Sequence, residues 1–261
     1  MIRQLLYALL MTGGAAMAQA DDLPDTALKQ PEAQAWSFSG VSGTYDKAQL
    51  QRGFQVYKDV CAACHGLKFV AFRDLRKIGY TPEQIKAIAA EYEVEGEPDG
   101  EGEVHKRPAR PGDYFPAPYA NDEAAAFANN GSVPADLSLM ARAREAGADY
   151  IHALLTGYKP PPAGMEIGEN NWYNPYFAFG EAIAMAEPLA DRMVDYGDGS
   201  PQTVEQYARD VSAFLTWTAD PHMERRKKTG LRVMVFLLLF AGLAYCTKRQ
   251  IWADKTGQEP K

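Results

Sequence analysis

The alternation of apolar and polar positions separates the chain into segments of different kinds. Leu50, Phe54, Tyr57 and Val60 recur at helical spacing behind Thr44-Tyr45-Asp46, a sequence suited to cap a helix, and predict an amphipathic helix from about Lys47. Gly53, just before Phe54, leaves room on that face for the close approach of another helix. A second stripe, Val204, Tyr207, Ala208, Val211, Phe214 and Leu215, predicts a partner helix far along the chain. Ser200-Pro201 offers it an N-cap followed by proline at the first helical position, and Pro221 ends it. A third helical pattern covers residues 137–146. Prolines at 108–118 and 160–162 predict long surface connections, and strand content is expected to be small. The fold class is therefore mainly α.

Two purely apolar runs stand apart from this pattern. Residues 5–11 follow Arg3 and precede Ala18-Gln19-Ala20, which is the layout of an export signal and predicts a signal peptide over residues 1–20. Residues 233–247 carry no charge, and residues 230–247 contain only Arg232. Those 18 residues, as a helix rising ~1.5 Å each, reach roughly 27 Å, close to the hydrocarbon thickness of a bilayer. Arg225-Arg226-Lys227-Lys228 before the run and Lys248-Arg249 after it argue against a buried core helix. The expected organisation is an exported domain over 21–228, one transmembrane helix over 229–248 and a cytoplasmic tail over 249–261. The first basic cluster would favour the cytoplasm under the positive-inside rule, but large domains translocate largely regardless of flanking charge. The domain is accordingly expected in the periplasm, held at a bacterial inner membrane by a single pass.

Charge narrows the partners. Between positions 21 and 223 there are 31 acidic and 17 basic residues, a net of −14 that the basic C-terminal region partly masks. Such a surface repels nucleic acid and steers cationic partners. Residues 91–103 hold seven acidic residues, no basic one and four Gly or Pro, and read as a solvated loop or insertion onto which His105-Lys106-Arg107 folds back. The alternative reading of that segment is a docking surface for a basic protein partner, reached through electrostatic steering.

The chemistry sits in Val60-Cys61-Ala62-Ala63-Cys64-His65-Gly66, which holds two of the chain's three cysteines. Thiol exchange would call for a thioredoxin-like βαβ pattern, which is not visible. Zinc would call for a second ligand pair at short spacing, and His105, His152, His222 and Cys246 are scattered. C-x-x-C-H reads instead as covalent attachment of a c-type haem: Cys61 and Cys64 bond the vinyl groups and His65 meets the iron. Export agrees, because such haem is attached outside the cytoplasm. Methionine at the sixth position would raise the potential and close the iron to small molecules. Local sequence leaves Met165, Met185 and Met193 open. Met140 suits packing better, Met223 abuts the basic cluster, and Met234 lies in the membrane run. No Walker loop, dinucleotide fingerprint, H-E-x-x-H or nucleophile elbow occurs, and no residue is expected to act as an acid, base or nucleophile.

Over nearly its whole length the sequence resembles the cytochrome c1 family. The matching stretches include Trp36-Ser37-Phe38-Ser39-Gly40, residues 50–57, Gly112-Asp113-Tyr114-Phe115 and Ala128-Asn129-Asn130-Gly131. Others are Pro134-Ala135-Asp136-Leu137-Ser138, Asp149-Tyr150, residues 154–158 and Tyr173-Asn174-Pro175-Tyr176-Phe177. The resemblance implies a class I cytochrome c-like haem domain with long loop insertions. It selects Met185 as the axial ligand through an Ile-x-Met-x-x-Pro match, although Glu187 stands where a proline is often seen. It favours Arg144 over Arg142 as the partner of a haem propionate. It makes Tyr150, Asn129 and Pro134 candidates to line the haem crevice, against ordinary packing. Many bacterial relatives carry a further disulfide that this chain lacks, which leaves the rigidity of the Met185 loop open.

The resemblance further implies one-electron transfer within a ubiquinol–cytochrome c reductase, in a respiratory or photosynthetic chain. The electron comes from a Rieske iron–sulfur protein and passes to a soluble or membrane-attached cytochrome c. Cytochrome b is the membrane partner, and the complex is expected to be dimeric. Three rivals share parts of the pattern: a free-standing anchored carrier, a ligand-binding haem sensor or peroxidase, and a thiol oxidoreductase.

Overall fold

A computed structural model describes residues 28–256; the expected signal peptide lies outside the described residues. The helices are α1 (Lys47–Asp59), α2 (Pro82–Ala90), α3 (Asp122–Ala128), α4 (Met140–Ala143), α5 (Ala148–Thr156), α6 (Val204–Ala219) and α7 (Met223–Thr256). Two antiparallel pairs, β1 (Glu93–Pro98) with β2 (Val104–Pro108) and β3 (Trp172–Tyr173) with β4 (Ala182–Ile183), are the strands. The fold is mainly α, and the sequence matches the architecture that its two amphipathic stripes predict.

α1 begins where Asp46 accepts hydrogen bonds from the N–H groups of Ala48 (2.9 Å) and Gln49 (3.3 Å). It buries Leu50, Gly53, Phe54, Val56 and Tyr57 against the apolar face of α6. A Cβ on Gly53 would stand 2.1 Å from the Asp210 carbonyl oxygen, so the two helices cross at a point only glycine can occupy. Phe54 and Tyr57 meet Phe214 at ring-centroid distances of 5.6 and 5.9 Å, and Phe115 joins them from the connection before α3. Each such side chain contributes ~1.5–3 kcal/mol by leaving water. Asp210 is fully buried on α6, where it accepts from Arg52 Nε at 2.8 Å and Gln206 Nε2 at 2.9 Å.

Three local expectations are corrected. α6 starts at Val204 rather than beside Pro201; Thr203 is the cap, and Asp191 accepts from the Val204 N–H at 2.8 Å. The pattern over 137–146 yields only the single turn α4, because Asp136 and Ser138 bond the chain at Lys68 and Phe69, and Ala146 and Gly147 take φ of 61° and 54°. The acidic segment 91–103 is largely hairpin rather than irregular loop. Glu93 pairs with Pro108, Val94 with Arg107 and Glu95 with Lys106 across the ladder. His105 does fold back onto the acids, its Nε2 lying 2.9 Å from Asp99.

α7 leaves the domain directly from Pro221. Its first turns are seated by Arg226 on Asp220 (2.5 Å) and by Lys227 Nζ on the carbonyls of Phe38 (2.7 Å) and Gly43 (3.2 Å). The span Met223–Ala253 contains an 18-residue window of mean hydropathy 1.9, none of it covered by the other described residues. By length and composition it is fit to cross a membrane.

Candidate functional site

α1 ends at Val60, and Cys61–Ala63 continues as a 3-10 turn. The N–H groups of Cys64 and His65 both donate to the Cys61 carbonyl, at 3.1 and 2.9 Å. This turn puts both thiols and the imidazole at the end of a helix fixed by the α1–α6 crossing. Tyr57, buried one turn earlier, donates its hydroxyl to the His65 carbonyl at 2.9 Å.

The His65 ring is oriented from far along the chain. Its Nδ1 lies 2.7 Å from the Ala135 carbonyl oxygen. A carbonyl can only accept, so Nδ1 carries the proton and Nε2 keeps its lone pair free. Burial pulls the His65 pKa below the ordinary value, against the opposing influence of Ala135 and Asp136, and this favours the neutral ring. The two segments are clasped by Asp136, which accepts from the N–H groups of Lys68 (2.9 Å) and Ser138 (3.0 Å). The Leu137 N–H donates to the Gly66 carbonyl at 2.9 Å.

Cys61 and Cys64 are partly exposed as residues, and Tyr119 Oη lies 3.7 Å from Cys64 Sγ. Burial and the neighbouring Cys64 push the Cys61 thiol up to about 12. Disulfide-exchange enzymes need the opposite shift. The donor set fits a c-type haem: two free thiols on one turn and an imidazole whose second nitrogen is held available. The loops carrying Ala135 and Met185 also bear exposed apolar side chains, among them Val133, Leu139 and Phe179.

Met185 follows β4 and packs, partly buried, against the hydrophobic core. Tyr158 donates its hydroxyl to the Met185 carbonyl at 3.0 Å. Asn174, fully buried, donates its side-chain amide to the Leu154 carbonyl of α5 at 2.7 Å and its main-chain N–H to the Glu181 carbonyl at 2.9 Å. These bonds and the β3–β4 pair tie the loop to α5 without a disulfide. Of the alternatives, Met193 is 53 % exposed, Met165 is partly buried in a connection, and Met223 is buried at the α6–α7 junction.

Arg144 is half-buried with its guanidinium 4.7 Å from the Phe179 ring centroid, whereas Arg142 pairs with Asp220 at 2.6 Å. Tyr150 is buried, and its hydroxyl accepts from the Ala178 N–H at 3.4 Å. Asn129 caps α3 and donates to the Ala125 carbonyl at 2.7 Å. Pro134, half-buried, precedes the residue that orients His65. Sequence reasoning places Tyr57 in the α1 stripe and gives Ala135, Asp136, Tyr57, Tyr119 and Tyr158 no role at the site. Asp136-x-Ser138 carries a turn signature that could have drawn attention, but a backbone acceptor such as the Ala135 carbonyl has none.

A helical domain built on a crossed helix pair, with a C-x-x-C-H turn at the end of the first helix, defines the class of c-type cytochromes. Residues 36–255 match the Cytochrome C1 family, and the chain belongs to it. It is 42 % identical over 261 residues to "Cytochrome c1" of Rhodospirillum rubrum, covering 94 % of this chain and 93 % of that one. It is 46 % identical over 249 residues to the "Cytochrome b-c1 complex catalytic subunit, mitochondrial" of Candida albicans, covering 95 % and 84 %. "Cytochrome b/c1" of Bradyrhizobium diazoefficiens is 45 % identical over 267 residues; the match covers 94 % of this chain and 38 % of that longer protein.

Proposed function

We propose that the chain is the haem-carrying electron-transfer subunit of a bacterial cytochrome b-c1 complex. Cys61 and Cys64 would hold haem c through thioether bonds, with His65 Nε2 and Met185 as the axial ligands. When bound, this group supplies reversible one-electron chemistry. His65 and Met185 together leave no position for a small-molecule ligand, which favours a carrier over a sensor or peroxidase. Arg144 offers a planar cationic fork to a propionate, and Tyr150, Asn129 and Pro134 line the crevice. No side chain is asked to act as acid, base or nucleophile.

The single observation that carries this reading is the bond from His65 Nδ1 to the Ala135 carbonyl, because it prepares the other nitrogen for a metal. The electron comes from a Rieske iron–sulfur protein and goes to a cytochrome c; the relative named as a cytochrome b/c1 supports cytochrome b as the membrane partner. Residues 1–20 would be removed on export, 21–228 would lie in the periplasm, 229–248 would span the bilayer and 249–261 would face the cytoplasm. Holding the domain beside its partners raises their effective concentration. The complex is read as a dimer.

Gentle solubilisation followed by sizing tests the assignment. Co-migration of this chain with haem b and an iron–sulfur subunit is the expected result. A chain that runs alone, without haem b, would favour a free-standing carrier; carbon monoxide binding to the reduced, undamaged protein would favour a ligand-binding haem protein.

A further inference from the structure

The basic run at residues 225–228 lies outside the haem site described above, and on the side that the positive-inside rule disfavours. The structure divides it in two. Arg226 and Lys227 turn to the domain and seat α7 on Asp220, Phe38 and Gly43. Arg225 and Lys228 line a cleft of about 630 Å³ formed with the start of α1 and the 3-10 turn Phe72–Ile78. Arg232 lines it as well, and positions 225, 228 and 232 share one helical face.

Lys47 and Lys77 close the cationic rim from the domain side. Lys77 pairs with Asp74 at 2.9 Å, but among the described residues Lys47, Arg225, Lys228 and Arg232 have no ion-pair partner. Among the described residues Glu224 is the one carboxylate lining the cleft, and its Oε1 already accepts from the Tyr45 N–H at 2.9 Å. So many unpaired cations around one concave surface repel one another, and a bound anion would relieve this.

We infer that this cleft holds an anionic phospholipid of the outer leaflet, with its phosphate against Arg225, Lys228 and Arg232. The reading of α7 as a membrane span underlies the inference. A lipid is favoured over a free phosphate by position: Arg232, at the cleft, is followed at once by the charge-free run 233–247, which nothing among the described residues covers. Trp217 and Pro221 supply apolar wall beside the cations, which suits an amphiphile. The outward basic cluster then has its counter-charge in the bilayer itself.

The test uses the purified complex, delipidated and reconstituted into phosphatidylcholine nanodiscs containing a minor fraction of phosphatidylglycerol. Phosphatidylglycerol retained on the complex is counted by native mass spectrometry. Removing one cleft charge is expected to weaken retention about fivefold, so Arg225→Gln combined with Lys228→Gln loses far more than either alone. Lys47→Gln, outside α7, shows the same direction without touching the helix, and Lys86→Gln on α2 shows no change. Equal retention by the parent and all four cleft variants would overturn the inference, as would displacement of the lipid by millimolar inorganic phosphate. A haem-loaded chain that stays out of the discs would overturn the membrane-span reading, and this inference with it.

Discussion

The Nδ1 of His65 meets the carbonyl oxygen of Ala135 at 2.7 Å across a separation of 70 residues. The bond sets the tautomer of the ring, and the adjacent Asp136 holds the two segments together by accepting from Lys68 and Ser138. Removing that carboxylate leaves two backbone donors without their acceptor. Asp136→Ala is therefore expected to lower the stability of the haem-loaded domain by about 1–3 kcal/mol, measured by denaturant unfolding. Asp136→Asn, which keeps one acceptor oxygen, should lose less.

The axial assignment of Met185 has its own test. Met185→Leu should lower the reduction potential by a sizeable part of the roughly 0.8 V over which axial ligands tune haems. Met193→Leu, at a side chain 53 % exposed, should leave the potential and spectrum unchanged. Spectroelectrochemical titration of the two variants decides, and the reverse outcome would move the ligand to Met193.

The helix crossing is close to intolerant of substitution. In Gly53→Ala the new Cβ meets the Asp210 carbonyl oxygen at 2.1 Å and the Phe214 Cβ at 2.7 Å. Backbone must move, and the cost is expected at about 3 kcal/mol or more. A thermal melt of the haem-loaded domain measures it. An unchanged melting temperature would mean that α1 and α6 do not cross here.

Acid should loosen the connection that leads from the hairpin towards Phe115. Arg107 forms a bidentate pair with Asp113 at 2.7 and 2.9 Å, and Asp113 also accepts from the Arg110 N–H at 2.7 Å. The Arg107 hydrogen bonds, with that of Arg110, hold the Asp113 carboxyl down to about 2 from an ordinary 3.8. A depressed pKa stabilises the fold above the unfolded value, and this is lost as pH falls from about 4 towards 2. Arg107→Gln should flatten that part of the stability profile, read by circular dichroism against pH.

The parts of the fold legible in the sequence are those encoded by local periodicity. The stripes of α1 and α6 and the glycine between them are readable because a helix places positions three and four apart on one face. Cys61, Cys64 and His65 are readable for the same reason, being fixed by one turn. What escaped depends on contacts distant in sequence. The start of α6 is moved by Asp191, the pattern over 137–146 is cut short by the bonds of Asp136 and Ser138 to another segment, and the acidic run pairs with a strand no local rule requires. His65 is readable as the donor from its residue type, but the acceptor that orients it is a main-chain carbonyl that any residue would supply.

The most direct test of the account is mass spectrometry of the peptide spanning Cys61 to His65, released from native membranes. The account predicts a peptide carrying one haem through both sulfurs. A peptide with two unmodified thiols would contradict it.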